Sequence, residues 1–511
     1  MSSPLFCWQK RALPDFNFNV WYAGPTLQDL LDIVSPSTIH VILRQRHIGA
    51  VDRRVRIYLT LLPHCHLLVL LDHVHTTNFV QLCKQLRGFD AEIMTPLRVL
   101  LHRPRITVVV GILMRRFFVF PLFMSACRGD DPIPDPPVDG KRTVLVYMAA
   151  DNSINPLASF TDGDLEELKA GMASIDNTSD MHLLVYIDTG FPRLIEIENK
   201  GGTVVETIVK EYEDRNSCGV AETQEVFNDV FGNSLYKAES YGLIYWSHGE
   251  GWIPTPLPST RWIGNDKTGG GHYMNIEDLK LVLQNAPHFD FIMFDACFMQ
   301  SVEVAYELRD CCDYYIGFPA ENPGPGAAYD RMFPFIFQKG AAVEMAIGTF
   351  AAYDEIYTGK IGSNSNWTMG TAIDVLKSSE LENLAAATAN ALSGVTADRE
   401  VLRSSVFDYD QRKVGSSYYV GYYDFVEMME KLVVDEVALD EWKQAYDAAS
   451  VCWKKTPMIY SMSVGMFSMK RANGVSHYIP STATSAAAQA ANAAYRSTLW
   501  YSAVGLARLG W

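Results

Sequence analysis

From residue 143 onward, apolar strands alternate with amphipathic helical segments, and this alternation constrains the fold of the 511-residue chain more than any other feature. Most of the apolar runs are apolar on both faces, and they predict strands at 144–148, 183–187, 241–246, 291–294 and 314–317. Strands buried on both faces belong to a mostly parallel sheet that helices cover. The intervening segments predict those helices, at 161–173, 221–231, 275–285 and 301–310. The predicted fold class is therefore α/β, an α/β/α sandwich.

Helical periodicity prevails beyond about residue 360. It predicts helices over 375–393, 422–432, 436–452 and 484–507. Between them, residues 460–467 and 475–480 predict strands that either pair as a hairpin or extend the main sheet. We therefore expect a sandwich core over 143–360 and a mainly helical C-terminal region over 361–511.

Charge divides the chain near residue 113. Residues 1–113 hold 12 Lys/Arg and 7 Asp/Glu, whereas the remainder carries a net charge of −21 within a total of −16. Seven of the twelve histidines also lie in this first segment, but without the ordered Cys/His framework of a zinc site, and we expect no metal site. We interpret residues 1–113 as translated upstream sequence that is not part of the native protein. The acidic remainder argues against a nucleic-acid partner.

Residues 114–127 are typical of a secretory signal. Two arginines follow Met114, then a short apolar run and a pair of small residues directly before Cys127. This ending resembles a bacterial lipobox, in which the signal is removed and Cys127 carries the lipid. A membrane-spanning helix over 106–126 is the alternative, but it would place both arginines inside the bilayer. The Pro-rich stretch 128–142 then predicts an extended tether.

Two strand ends carry the residues of a nucleophilic site. His248 follows the strand predicted at 241–246, and Cys297 follows the one predicted at 291–294. The carboxyl ends of neighbouring parallel strands meet at one edge of a sheet, so the two side chains can face each other. We predict that Cys297 is a nucleophile whose thiolate is favoured by a helix starting directly after it, and that His248 is the general base and acid. The N–H groups of Gly249 and Cys297 are candidates for an oxyanion hole.

The residues around both strand ends resemble those of the clostripain-like cysteine peptidases, which share the caspase–gingipain fold. The similar stretches are 247–252, 295–299, 302–308, 144–152 and 323–330, and the resemblance is strong over 143–335 and loose elsewhere. It implies a caspase-like α/β/α sandwich and a peptidase that cuts after Arg or Lys. It implies no required cofactor and leaves calcium open.

Acidic residues near Cys297 give that specificity a physical basis. Asp295 lies two residues before Cys297, so on a strand it faces the same side and can pair with a basic P1 side chain. The alternative is a structural Asp295 that accepts hydrogen bonds from loop N–H groups. Asp330 and Glu321 flank the Pro/Gly loop after the next strand and are candidates for a second carboxylate, with Asp330 preferred.

Relatives of this kind are often matured by cleavage between the histidine and cysteine blocks. Here the intervening loop, 253–273, contains Arg261 and Lys267, which a basic-specific enzyme could cut in itself. An uncut substrate-binding loop is the equal alternative.

The sequence therefore predicts an exported cysteine endopeptidase, anchored by lipid in the cell envelope, whose partners are peptides or proteins with a basic P1 residue. The alternative is an inactive surface lipoprotein of the same fold that binds a ligand or a glycan. Retention of both His248 and Cys297 favours the enzyme, because an inactive protein need keep neither.

Overall fold

The computed structural model describes residues 142–152, 157–175, 178, 180–252, 263–413 and 419–511, together with the backbone of strands within the first 74 residues. Met1–Asp131 form a compact unit of their own. Its strands are β1 (Trp8–Ala12), β2 (Asn19–Ala23), β3 (Ile39–His40), β4 (Ile42–Gln45), β5 (Val55–Leu62) and β6 (His66–Val74), in the order β1-β2-β6-β5-β4 with β3 on β6. The signal at 114–127, including Cys127, and Arg261 lie outside the described residues, and the interpretation of residues 1–113 stays a prediction.

Residues Pro132–Trp511 form a second compact unit, built on a nine-stranded sheet. Its strands are β7 (Arg142–Ala149), β8 (Met181–Asp188), β9 (Arg193–Lys200), β10 (Thr203–Glu211), β11 (Ser240–Trp246), β14 (Phe289–Asp295), β15 (Cys312–Gly317), β16 (Ala372–Lys377) and β18 (Ser450–Lys455). The order is β10-β9-β8-β7-β11-β14-β15-β16-β18. The five central strands, β8 to β15, are parallel, and the added strands at both edges are antiparallel. The predicted α/β class is confirmed.

Helices cover both faces of this sheet. They are α1 (Thr161–Ala173), α2 (Val220–Phe231), α3 (Ile276–Leu283), α4 (Val302–Leu308), α5 (Tyr329–Ile336), α6 (Ala342–Ile356), α7 (Leu381–Ala391), α8 (Arg399–Ser405), α9 (Phe425–Leu432), α10 (Glu436–Ala449), α11 (Ala486–Ser497) and α12 (Leu499–Val504). Helices α1, α5 and α6 pack on one face, and α2, α3, α4 and most C-terminal helices pack on the other. Within the described ranges, every helix is too short or too polar to cross a bilayer.

Strand β7 shows why the sandwich forms, because all eight of its residues are buried. Val144, Val146 and Met148 enter the core on the α1 side, whereas Leu145 and Tyr147 enter the core on the α2 side. Alternate side chains of a strand point to opposite faces, so an uninterrupted apolar run requires a covering layer on each side.

The C-terminal region corrects four sequence expectations. Residues 375–377 belong to strand β16, and 450–452 belong to β18, because their apolar side chains complete the sheet edge instead of continuing a helix. The strand expected at 460–467 is a hairpin with its own turn, β19 (Met458–Ser461) and β20 (Gly465–Ser468), where Gly465 has a φ of 75°. Within 475–480 only β21 (Ser476–His477) is a strand, and it pairs with β17 (Tyr423–Asp424). Short apolar runs satisfy both the helical and the strand periodicity, and pairing partners decide between them.

The remaining short strands, β12 (Ile263–Asp266) and β13 (His272–Met274), form a hairpin between β11 and α3.

A buried ion pair joins two strands of the sheet. Arg142 of β7 donates from Nη2 to Asp290 Oδ2 of β14 at 2.6 Å, and the two side chains are 0% and 3% exposed. The Asp290 carboxylate also accepts a hydrogen bond from the N–H of Gly340 at 2.9 Å. Both charged groups are buried between apolar layers and away from water, so each is stabilised mainly by the other.

Replacing Arg142 with Met should lower the free energy of unfolding by about 3–5 kcal/mol, because it leaves the Asp290 carboxylate buried without its cation. The double variant Arg142→Met, Asp290→Asn should recover a large part of that loss. Urea denaturation of the three proteins measures both effects. A loss below about 1 kcal/mol in the single variant would contradict the importance of the pair.

Candidate active site

Strands β11 and β14 bring the two predicted catalytic residues to one edge of the sheet. The strands are parallel neighbours, and their last register pair joins Trp246 to Asp295. His248 and Cys297 each lie two residues beyond this pair. The register therefore places the segment that carries His248 beside the segment that carries Cys297, as the sequence predicts.

The loop that carries His248 lies directly against the loop that carries Cys297. A Cβ atom at Gly249 would come within 2.7 Å of the carbonyl oxygen of Cys297 and 2.8 Å of the Ala296 Cβ. On its other side the histidine loop is held by β12, where the N–H of Gly264 donates to the His248 carbonyl at 2.9 Å. Glycine at position 249 is thus a steric requirement, because any side chain would push the two loops apart.

The backbone turns sharply immediately after Cys297. Phe298 has a φ of 57°, and no other non-glycine residue in the described ranges has a positive φ. Its N–H donates to the Ala320 carbonyl at 3.0 Å, and its ring stacks on Tyr422 with centroids 4.9 Å apart. A left-handed phenylalanine costs about 1–3 kcal/mol, so these contacts hold a strained turn beside the thiol.

This turn corrects the expectation that a helix begins directly after Cys297. Helix α4 begins only at Val302, and its N-cap is Ser301, whose Oγ accepts from the Val304 N–H at 3.3 Å. Because a helix dipole acts mainly within the first turn, the α4 N-terminus does not favour a Cys297 thiolate.

The surroundings of Cys297 favour its neutral thiol. The other described cysteines are buried, whereas Cys297 is partly exposed. Burial of the sulfur is the main cause that raises the pKa of Cys297 to about 12, and the carboxylates of Glu321 and Glu250 add to it. A 3.2 Å hydrogen bond from the Asn322 N–H to Cys297 Sγ and the charge of Arg412 act in the opposite direction. The thiol is therefore protonated at neutral pH and needs a base when it reacts.

Asp295 braces the loop that follows β15. Its carboxylate accepts hydrogen bonds from Asn322 Nδ2 at 2.6 Å, from the Ala327 N–H at 2.8 Å and from the Tyr329 hydroxyl at 3.0 Å. The side chain is buried, and burial raises the pKa of Asp295 to about 6. Both oxygens are thus engaged by the loop, as the structural alternative predicts. A P1 cation would have to join or replace these contacts.

The two candidates for a second carboxylate lie in different surroundings. Glu321 precedes Asn322, accepts a hydrogen bond from the Met462 N–H at 3.2 Å and is close enough to Cys297 to raise its pKa. Asp330 lies in the first turn of α5, and its neighbours are Arg331 and Glu167. The structure therefore places Glu321, and not the preferred Asp330, beside the thiol.

Comparison with known proteins decides the family. The model of the clostripain family matches residues 146–506, which is well over half of the chain. The chain belongs to the clostripain family of cysteine peptidases. Clostripain from Hathewaya histolytica is 26% identical over 224 residues, which are 38% of this chain and 41% of that protein. This match thus spans less than half the length of clostripain itself.

Solved clostripain-family structures agree over nearly their whole length. A secreted C11 cysteine protease from Bacteroides thetaiotaomicron, in complex with an irreversible peptide inhibitor, is 39% identical, with a TM-score of 0.64 over 72% of this chain and 99% of that chain. An inactive zymogen C11 protease from Parabacteroides distasonis is 27% identical, with a TM-score of 0.59 over 73% of this chain and 99% of that one. These similarities confirm the resemblance and the caspase-like sandwich.

The C-terminal region of this clostripain-family chain contacts the loops that carry His248 and Cys297. Arg412 donates to Glu250 of the histidine loop and to Asp410, in each case at 2.7 Å. Its guanidinium lies 4.7 Å from the Phe298 ring centroid, and the Tyr422 hydroxyl donates to the Glu250 carbonyl. Arg412 and Tyr422 therefore hold in place both the loop that carries His248 and the turn that follows Cys297.

Lys267, one of the two candidate self-cleavage residues, is held by the loop after β7. Its side chain forms an ion pair with Asp151, and its N–H donates to the Asp151 carbonyl at 2.8 Å. The other candidate, Arg261, lies outside the described residues. In the described part of the chain, no group of three or more His, Cys, Asp or Glu residues is arranged to hold a metal ion. The expectation of no required cofactor, with calcium left open, stays a prediction.

Several residues of the site escape sequence reasoning. Asn322 contacts both Cys297 and Asp295, and Arg412 lies 115 residues beyond Cys297. Asn322 directly precedes Pro323, so the Pro/Gly loop is the sequence feature that could have indicated a role for Asn322. No local pattern marks Arg412, because its role arises from contacts made across the fold.

Alkylation of Cys297 by iodoacetamide should accelerate about tenfold per pH unit from pH 7 to 9, because a thiol with a raised pKa gains thiolate throughout that range. Mass spectrometry of the modified peptide measures the rate. The Cys297→Ser variant controls for alkylation of the other eight cysteines of the chain. A rate that is already constant below pH 7 would instead indicate a preformed thiolate–imidazolium pair.

Proposed function

We propose that this protein is an exported cysteine endopeptidase that cleaves after Arg or Lys, with Cys297 as nucleophile and His248 as general base and acid. The observation that carries the proposal is the register of β11 and β14, which brings both residues to one edge of the sheet. The B. thetaiotaomicron relative adds support, because it is described as secreted and was solved with an irreversible peptide inhibitor.

In the proposed first step, Cys297 Sγ attacks the carbonyl carbon of the scissile bond while His248 accepts the thiol proton. Since the thiol is neutral in the resting protein, proton removal accompanies the attack. The N–H groups of Gly249 and Cys297 would stabilise the oxyanion of the tetrahedral intermediate.

In the second half, His248 gives its proton to the leaving amine as the C–N bond breaks, and a thioester to Cys297 remains. Water then attacks the thioester carbonyl while His248 accepts a proton from it. The C–S bond breaks, the thiol regains its proton, and the acid product leaves.

The preference for basic P1 residues rests on the carboxylates near the thiol. Asp295 lies two residues before Cys297, and Glu321 is close enough to affect the thiol. The cation that acts on Cys297, Arg412, is already paired with Asp410 and Glu250. An arriving guanidinium or ammonium group therefore enters a region of negative potential.

Self-processing within 253–273 forms part of the proposal. The P. distasonis relative is described as an inactive zymogen, which is consistent with maturation by cleavage in this family. We favour Arg261 over Lys267 as the cleaved residue, because Lys267 would first have to leave Asp151.

Anchoring by lipid on Cys127 and translation from Met114 complete the proposal. Their support is the signal pattern over 114–127 and the secreted relative. A protein with that signal would be exported to the cell envelope and held there by its tether.

The proposed dyad predicts that Cys297→Ala abolishes turnover of peptides with P1 Arg or Lys and that His248→Ala lowers kcat/KM by about 10²–10⁴-fold. The matched controls Cys311→Ala and His288→Ala remove the same residue types outside the site and should keep activity. Thermal melting verifies folding. Folded Cys297→Ala and His248→Ala proteins with near wild-type turnover would overturn the dyad, and a folded wild-type protein that cleaves no peptide would favour the inactive binder.

The proposed specificity predicts that Asp295→Asn costs about 2–5 kcal/mol in kcat/KM for Arg and Lys substrates, because a P1 cation then loses its carboxylate. Matched substrates with P1 Gln should lose far less. Glu321→Gln serves as the comparison, and melting tests whether the braced loop still folds. Equal losses for all three substrates would mean that Asp295 acts only on the loop.

A further inference from the structure

A cavity of about 450 Å³ lies on the far side of the loop that Asp295 braces. Pro325 and Ala328 form one of its walls, while Ala327 between them donates its N–H to Asp295. The Tyr353 hydroxyl donates to the carbonyl of Gly326 and fixes the same loop. The cavity therefore adjoins the proposed P1 carboxylate but is separated from it by backbone.

Acidic residues predominate among the ionisable side chains that line this cavity. Asp164 and Glu167 of α1 and Asp330 of α5 all line it. The basic residue in its lining, Arg331, donates to Glu355 at 2.5 Å and lies 3.8 Å from Asp330. Acidic side chains thus outnumber basic ones in the described lining, and its arginine is already engaged.

Asp164 is the residue that points to a ligand. Its side chain is 3% exposed, yet no described residue offers a hydrogen-bond partner to its buried Oδ2 atom. Glu167, one helical turn further, accepts a 2.9 Å hydrogen bond from the Tyr329 N–H. A buried carboxylate oxygen without a partner is costly, and a cation in the cavity would supply the missing interaction.

Aromatic rings also line the cavity. Tyr353 and Trp367 are buried, and Phe160 is partly exposed at the cavity. Carboxylates beside aromatic faces suit an organic cation, which gains both ion pairing and cation–π attraction. A metal ion prefers several oxygen ligands at once, and the described residues provide no such group here.

We propose that this cavity binds a guanidinium or primary ammonium group, and that a basic substrate residue other than P1 supplies it. The assignment of the cation to a substrate residue rests on the proposed peptidase function, whereas the binding of a cation does not. A free alkylguanidine has the same chemistry, so calorimetry with a small cation and kinetics with peptides are needed to separate the two sources. Asp330 is thereby assigned to this second site and not to the P1 carboxylate.

Protonation supports the assignment. Burial, and then the charges of Asp295 and Glu167, raise the pKa of Asp164 to about 9. Burial, and then Asp330, raise the pKa of Glu167 to about 7. The other groups that face these two carboxylates are Arg331 and the phenols of Tyr329 and Tyr353. A cation that enters should therefore displace protons, and its affinity should rise between pH 6 and 9.

Calorimetry on the full chain with Cys297→Ala tests the first clause, with butylguanidine as probe and butylurea as its neutral analogue. We expect butylguanidine to bind with proton release, and butylurea not to bind. Asp164→Asn should weaken binding at least about tenfold, and Asp330→Asn, on an exposed position, should weaken it less. Asp162→Asn, an exposed change on the same helix, is the matched control and should bind as the parent does.

Two calorimetric results would overturn the site. One is equal binding of butylguanidine by the parent, the Asp164→Asn and the Asp330→Asn proteins. The other is failure of butylguanidine to bind while CaCl₂ binds in an Asp164-dependent manner. If Asp164→Asn does not fold, the comparison of butylguanidine binding by Asp330→Asn with that by Asp162→Asn decides whether the site exists.

Peptide substrates test whether a substrate residue occupies the cavity. With P1 Arg fixed, a second Arg is moved through the neighbouring positions and compared at each with citrulline, its neutral analogue. At the position whose side chain enters the cavity, replacing Arg with citrulline should lower kcat/KM at least about tenfold in the wild type and have no effect in Asp164→Asn. Equal rates at every position, with butylguanidine binding intact, would overturn the substrate clause and leave a site for a free cation. Failure of turnover would refute the peptidase function while the calorimetric result stands.

Discussion

The parallel pairing of β11 with β14 is the constraint on which the site depends. Both strands are buried on both faces, so a slip in their register would displace apolar side chains from their packed positions in two cores at once. The pairing ends at Trp246 and Asp295, and the chain leaves the sheet at the same level in both strands. The positions of His248 and Cys297 follow directly, since each is two residues beyond that level.

Asp295 couples Cys297 to the loop that follows β15. Its carboxylate holds Asn322, and the Asn322 N–H in turn donates to the Cys297 sulfur. On the opposite side of this loop, the acidic cavity around Asp164 reaches the same backbone through Tyr353. One short Pro/Gly segment thus lies between Asp295 on one side and the acidic side chains of the cavity on the other.

The C-terminal region is part of the same structure as the site. Strands β16 and β18 extend the sheet beyond β15, and the Arg412–Glu250 ion pair reaches the histidine loop. The strained turn at Phe298 is held by Tyr422 from that region as well. Because the left-handed turn costs free energy, it persists only where tertiary contacts of this kind stabilise it.

The sequence by itself determined the sandwich and indicated His248 and Cys297 as the candidate reacting pair. Double-sided apolar runs require two covering layers wherever they occur, and His248 and Cys297 follow such runs. Only the tertiary structure decided that α4 begins at Val302, that Asp295 is bound by its loop, and that Glu321 lies nearer the thiol than Asp330. Periodicity reports which face of an element is buried, whereas hydrogen bonds, protonation and strain arise between segments that are distant in the chain. That is the physical reason a sequence pattern could indicate a candidate nucleophile but not its environment.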